Sequence, residues 1–147
     1  HELDFIRWFF GDVSQVTAMS ARLGNMELKP HPNIFQIAMK FTSGAIVQVH
    51  MDYIQYPQRR IFEIYGDRGT LSYDFMTGEI RQFYFQRGHS WVNKDVGPVT
   101  DRWDDLFRNE HESLFTARLN GEPPLVSVLD GIRALEIAEM AIASSES

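Results

Sequence analysis

His1 and Asp4 stand three residues apart at the head of "HELDFIRWFFGD", where six of the first ten residues are large and apolar. On a helix that spacing puts both on one face, within reach of a single polyol. The imidazole would pass a proton near neutral pH while the carboxylate accepts hydroxyl hydrogen bonds. Taken alone, the pair better fits a histidine left over from a cloning tag and an acid complementing a helix dipole. His50 and Asp52 lie two apart in "VHMDY", on one side of a strand, where the carboxylate could hold and polarise the ring. Polar residues on a solvated sheet face are nonetheless the commoner occurrence. Arg59 and Arg60 follow "QYPQ" as two planar forks suited to a carboxylate or a phosphate, and equally to surface acids. Tyr53, Tyr56, Tyr65 and Tyr73 offer hydroxyls to a sugar, although aromatic residues are ordinary in strands. Glu110, seven after Trp103 on an apolar stripe, reads as a buried acid to be paired with Arg118, Arg59 or Arg60.

Other chemistries find little support. His111-Glu112 is not followed by a second histidine in the two-histidine zinc pattern, and no cluster has ligand spacing, so no metal is expected. The chain has neither a glycine-rich phosphate loop nor a nucleophile elbow. Cysteine is absent, which excludes disulfides, thiolate metal sites and thiol nucleophiles and fits a reducing, cytoplasmic setting. A net charge of -6, from 20 acids against 14 Lys and Arg, leaves no basic stripe for nucleic acid. The apolar opening is interrupted by Asp4 and Arg7, so it is neither a membrane span nor a signal peptide.

The elements that must carry these residues follow from periodicity. "ELDFIRWFF" reads as a helix over residues 2–10 closed by Gly11, with large side chains on nearly every side, the pattern of a helix covered all round. "IFQIAMKF" and "AIVQVHMDYI" alternate with period two around the turn "TSG". "RRIFEIY" and "GTLSYDF" form a second hairpin through "GDRG", and with "IRQFYFQR" and "VSQVTAMSARL" the count reaches about six strands. Gly24 to Pro32 and Gly88 to Asp101 read as long loops. "DRWDDLFRNEHESLFTARLNG" and "SVLDGIRALEIAEMAIASS" read as helices, the second opened by Ser127 and Asp130 as a capping box. At 147 residues the chain fits one domain. The class is α+β: a mostly antiparallel, open-faced sheet with helices packed on one face, the other face carrying Gln48, His50, Asp52, Glu63 and Tyr65.

The order of motifs adds a resemblance. H-x-x-D, W-x-x-G, F-x-x-G, G-x-x-G-T-L and S-x-x-D-G-x-x-A-L succeed one another in "HELDFIRWFFGDV", "FTSGAIVQVHMDY", "EIYGDRGTLSYDF" and "NGEPPLVSVLDGIRALEIAEMAIASS". Over essentially the whole length, residues 1–147, the chain resembles the C-terminal domain of the Gfo/Idh/MocA (glucose-fructose oxidoreductase/inositol dehydrogenase) oxidoreductase family. The resemblance implies an NAD(P)-dependent oxidoreductase of a sugar, polyol or nucleotide-sugar-like substrate, with this chain as its substrate-binding and oligomerisation domain, inactive alone. NAD or NADP would be held by an N-terminal Rossmann domain, which also carries the family's catalytic lysine and would be this chain's first partner. His1 matches the family histidine that assists proton transfer, and Asp4 a position that touches substrate. Tyr53, Arg59 and Arg60 fall near sheet residues lining the substrate pocket. A homo-oligomer through the sheet face is implied as well. The alternative is a self-standing dimerising module without redox activity.

Overall fold

The computed structural model describes residues 1–26, 32–86, 90–98 and 103–146. They form α1 (Glu2–Phe10), β1 (Val13–Ala21), β2 (Ile34–Phe41), β3 (Ile46–Asp52), β4 (Ile61–Gly66), β5 (Gly69–Asp74), β6 (Glu79–Gln86), β7 (Ser90–Pro98), α2 (Trp103–Asn120) and α3 (Val128–Ser145). Every strand pairing is antiparallel, as hairpin connections require, and the fold is α+β. The strands make a three-stranded sheet, β1-β2-β3, and a four-stranded sheet, β4-β5-β6-β7. The chain divides into two compact units, residues 1–54 with 113–147 and residues 55–112.

In the first unit, alternation decides which side of the sheet is buried. Ala18, Ile37 and Val49 are cross-strand neighbours, and with Met39 and Phe41 they form the core on one face. Helix α3 covers that face along β1, contributing Ile137 and Ala141 to the core, while the Ser144 hydroxyl accepts from the Ala18 amide at 3.0 Å. Helix α1 rests on α3 and buries Ile6, and its Phe10 packs on Phe41 with ring centroids 5.7 Å apart. The opposite face stays open: Thr17, Met19, Gln36, Ala38, Lys40, Ile46, Gln48 and His50 are exposed along it. The turn after β2 places Gly44 at φ 90, where its amide donates to Phe41 O at 3.0 Å. Asn33, 5% exposed, closes the loop between β1 and β2: its amide accepts from Leu23 N at 2.9 Å and donates to Leu23 O at 2.8 Å.

The second unit is built on the same alternation. Phe62, Ile64, Leu71, Tyr73 and Ile80 share one face of its sheet; Glu63, Tyr65, Ser72 and Arg81 share the other. The β4–β5 turn ends at Gly69, φ 156, where an added Cβ would lie 2.2 Å from the Phe83 carbonyl oxygen.

Four expectations need correction. The stretch from Gly88 to Asp101 is not all loop, since β7 pairs with β6 along it; its sequence alternates weakly, and the neighbouring strand's hydrogen bonds define it. Glu110 is exposed rather than buried, because the apolar stripe it sits on is itself exposed at Phe107, Leu114 and Phe115. Helix α1 is not covered all round: Ile6 is its buried residue, while Trp8 is 78% exposed. Finally, Gln48, His50 and Asp52 belong to one sheet, and Glu63 and Tyr65 to the other.

Candidate functional site

Helix α1 carries the first pair of candidates. His1 is its N-cap residue, and its carbonyl accepts from Phe5 N at 3.1 Å, so His1 and Asp4 occupy the same first turn. The His1 side chain is 98% exposed. Asp4 is half-buried, and its carboxylate has no hydrogen-bond or ion-pair partner among the described residues. Arg7, three residues on, is the obvious ion-pair partner for Asp4, yet it turns elsewhere. Its Nη1 donates to Asp130 Oδ1 at 2.9 Å and its Nε to Asp12 Oδ1 at 3.2 Å.

Asp130 is held in turn. Its Oδ2 accepts from the Ser127 amide at 2.9 Å and the Ser127 hydroxyl at 2.7 Å, and Ser127 Oγ accepts from the Asp130 amide at 3.3 Å, completing the capping box of α3. The Ser127 hydroxyl, then the Ser127 amide, then Arg7 stabilise the carboxylate and hold its pKa well below the usual range, at about 2.

The second cluster lies on the open face of the three-stranded sheet. His50 Nε2 and Asp52 Oδ2 are 2.7 Å apart, and His50 Nδ1 is 2.6 Å from Gln36 Nε2. A ring protonated on Nε2 satisfies both contacts: it donates to Asp52 and accepts from the Gln36 amide. The Asp52 side chain is 8% exposed, and its other oxygen accepts from Ile54 N at 2.7 Å, which turns the chain out of β3. The expected pairing of His50 with Asp52 is therefore present. Gln36 was missed, although the hairpin register held the signal: Gln36 and His50 each stand seven residues from Ser43, at the centre of the turn.

Tyr53 follows this cluster, 64% exposed, with its amide donating to Asn33 O at 3.2 Å. It lines a cleft of about 630 Å³ together with Ser20, Asp52, Ser145 and Glu146, where β3 and α3 end. The other end of β3 meets the C-terminal end of α1, where Ser43 Oγ donates to Phe10 O at 2.9 Å. Tyr53 and that end of α1 thus lie roughly 20 Å apart along the strand. Arg59 and Arg60 belong to the second unit. Arg59 is exposed; the Arg60 guanidinium sits 4.3 Å from the Phe75 ring centroid, and Phe75 stacks on Tyr73 at 4.4 Å. On the polar face of that sheet, Tyr65 donates to Glu63 Oε2 at 2.7 Å, and this bond raises the phenol's pKa.

Among the described residues no three His, Asp or Glu side chains gather as metal ligands, and no helix is long and apolar enough to cross a membrane. Among the described residues the strands form no parallel βαβ unit, and no glycine-rich turn opens a helix.

Comparison with known proteins gives a consistent picture. The model of the Gfo/Idh/MocA oxidoreductase family's C-terminal alpha/beta domain matches residues 1–147. No curated protein matches the chain. Among solved structures, the chain is similar to UDP-N-acetylglucosamine 3-dehydrogenase from Acidithiobacillus ferrooxidans, with TM-score 0.83, 18% identity, and coverage of 99% of this chain and 45% of that one. It is similar to levoglucosan dehydrogenase in complex with NADH, with TM-score 0.81, 17% identity, and coverage of 98% and 45%. It also resembles the WlbA dehydrogenase from Bordetella pertussis in complex with NADH and UDP-GlcNAcA, with TM-score 0.70, 20% identity, and coverage of 99% and 40%. The chain spans less than half the length of these proteins.

Proposed function

We infer that this chain, which belongs to the Gfo/Idh/MocA oxidoreductase family as its C-terminal alpha/beta domain, is the substrate-binding and oligomerisation domain of a cytoplasmic NAD(P)-dependent oxidoreductase. The substrate is a sugar, polyol or nucleotide sugar; the similar dehydrogenases are named for levoglucosan and UDP-N-acetylglucosamine or bind UDP-GlcNAcA. The observation that carries this reading is the family match over all 147 residues. The dinucleotide belongs to a separate N-terminal domain, a reading supported by NADH-bound dehydrogenases of which this chain covers less than half.

Within the chain the division of work is local. Exposed at the head of α1, His1 takes or returns the proton of the reacting hydroxyl. Asp4, on the same turn and without a partner among the described residues, accepts hydrogen bonds from neighbouring hydroxyls and so fixes which carbon is presented. Tyr53, Arg59 and Arg60 contribute to substrate binding, the arginines by fork geometry toward an anionic group such as the diphosphate of a nucleotide sugar. The open face of the three-stranded sheet serves for self-association.

The test is an NAD(P)-coupled assay of the protein joining this chain to its dinucleotide-binding domain, with levoglucosan and UDP-N-acetylglucosamine as probes. Turnover of either, reduced about 100-fold or more in His1→Ala, is the expected result for loss of a general acid-base group. Equal rates for wild type and His1→Ala, or no turnover of either probe, would overturn it. The 147-residue chain by itself should not bind NADH in a fluorescence titration.

A further inference from the structure

We propose that Arg7 is a positioning residue: by bridging Asp12 and the capping box of α3 it sets the roll of α1 about its axis, and thereby the direction in which His1 and Asp4 face. The proposal rests on the proposed role of His1.

Helix α1 is nine residues long and buries one side chain, Ile6. Ile6 in the middle of the helix and Phe10, packed on Phe41 near its end, are apolar anchors, and such contacts fix no direction of their own. Arg7 supplies a directional constraint. It is the next residue, about 100° round the helix, and its guanidinium is a planar fork whose two arms leave in fixed directions. One arm reaches Asp130 and the other Asp12.

Neither acceptor is free to follow a rolling helix. Asp130 has its second oxygen engaged by Ser127 at the start of α3, and α3 is tied to β1 through Ser144. The backbone of Asp12 accepts from Thr42 N at 2.9 Å, which anchors it to the β2–β3 hairpin. Arg7 is thus joined to both the covering helix and the sheet edge; its side chain is 20% exposed, and water competes less for the arm on Asp130 than for the arm on Asp12, whose side chain is 66% exposed. The same engagement keeps Arg7 away from Asp4, which lies about 60° round the axis and would otherwise be a natural i,i+3 partner. One side chain therefore orients the turn bearing His1 and leaves the Asp4 carboxylate available to a ligand.

The experiment is a double-mutant cycle in the protein joining this chain to its dinucleotide-binding domain, assayed with NAD(P) and whichever of levoglucosan or UDP-N-acetylglucosamine is turned over. Arg7→Met, which keeps the apolar stem, is expected to lower kcat about tenfold with KM within twofold. Arg7→Lys, which keeps the charge but not the fork, recovers part of that loss. In a His1→Ala background the Arg7→Met effect on kcat shrinks to less than half its size, because Asp4 is then the one group left to aim. A protein merely unfolded in part would instead lose rate by the same factor in either background. Multiplicative losses, or an unchanged kcat in Arg7→Met, overturn the proposal while leaving the His1 reading intact. Equal rates for wild type and His1→Ala, or no turnover of either probe, overturn the reading and the proposal with it. Hydrogen exchange gives a readout apart from activity: residues 5–10 exchange faster in Arg7→Met and intermediately in Arg7→Lys, and unchanged exchange there also overturns the proposal.

Discussion

Gly69 shows what a single position can demand. Its φ of 156 closes the β4–β5 turn, and the place where a side chain would begin is already taken by the Phe83 carbonyl, a backbone atom that cannot swing aside. Gly69→Ala must therefore displace one strand of the four-stranded sheet. The expected cost is about 2 kcal/mol or more, read as a lower urea midpoint with an unchanged slope. The sequence marked Gly66 and Gly69 alike in "GDRG", yet among the described glycines with positive φ only Gly69 belongs to that turn. The motif located the turn; the crowding across β6 chose which glycine is irreplaceable. His50 teaches the converse. Its pairing with Asp52 followed from strand period alone, whereas Gln36 required the register of a second strand.

Among the elements, the N-terminus of α3 gathers four side-chain hydrogen bonds on Ser127 and Asp130. Ser127→Ala removes the hydroxyl that both donates to Asp130 Oδ2 and accepts from the Asp130 amide, and should cost about 1 kcal/mol in thermal or chemical unfolding. The acid response has a definite sign. The folded-state pKa of Asp130 is lowered from 3.8 to about 2, so folding favours the ionised form. Its contribution is fully present above pH 4 and is lost as pH falls toward 2. Asp130→Asn should flatten the stability profile in that window and leave the profile near neutrality parallel to wild type. The capping box was legible because its two residues sit three apart. Arg7 was not, because its acceptor Asp130 is 123 residues away and nothing local marks the bond.

For the whole molecule, alternation in β1 to β3 made the open face readable, since the same period that buries Ile37, Met39 and Val49 must expose Gln36, Ala38 and Gln48. What alternation does not encode is which strands share a sheet, so Glu63 and Tyr65 were assigned to the face that carries His50. If the open face is where copies meet, a charge at its centre should separate them. Ala38→Glu, at an exposed middle-strand position, is expected to shift sedimentation toward the monomer without lowering the melting temperature. An unchanged sedimentation coefficient would exclude this face from the interface.

Asn33 has a consequence at the same scale. Its buried side-chain amide meets Leu23 as a peptide group would, giving and receiving one hydrogen bond, so it adds a counterfeit rung to the ladder between β1 and β2. Asn33→Ala should therefore fray this end of the ladder first, read as faster amide exchange at Leu23 while the centre of β1 and β2 keeps its protection.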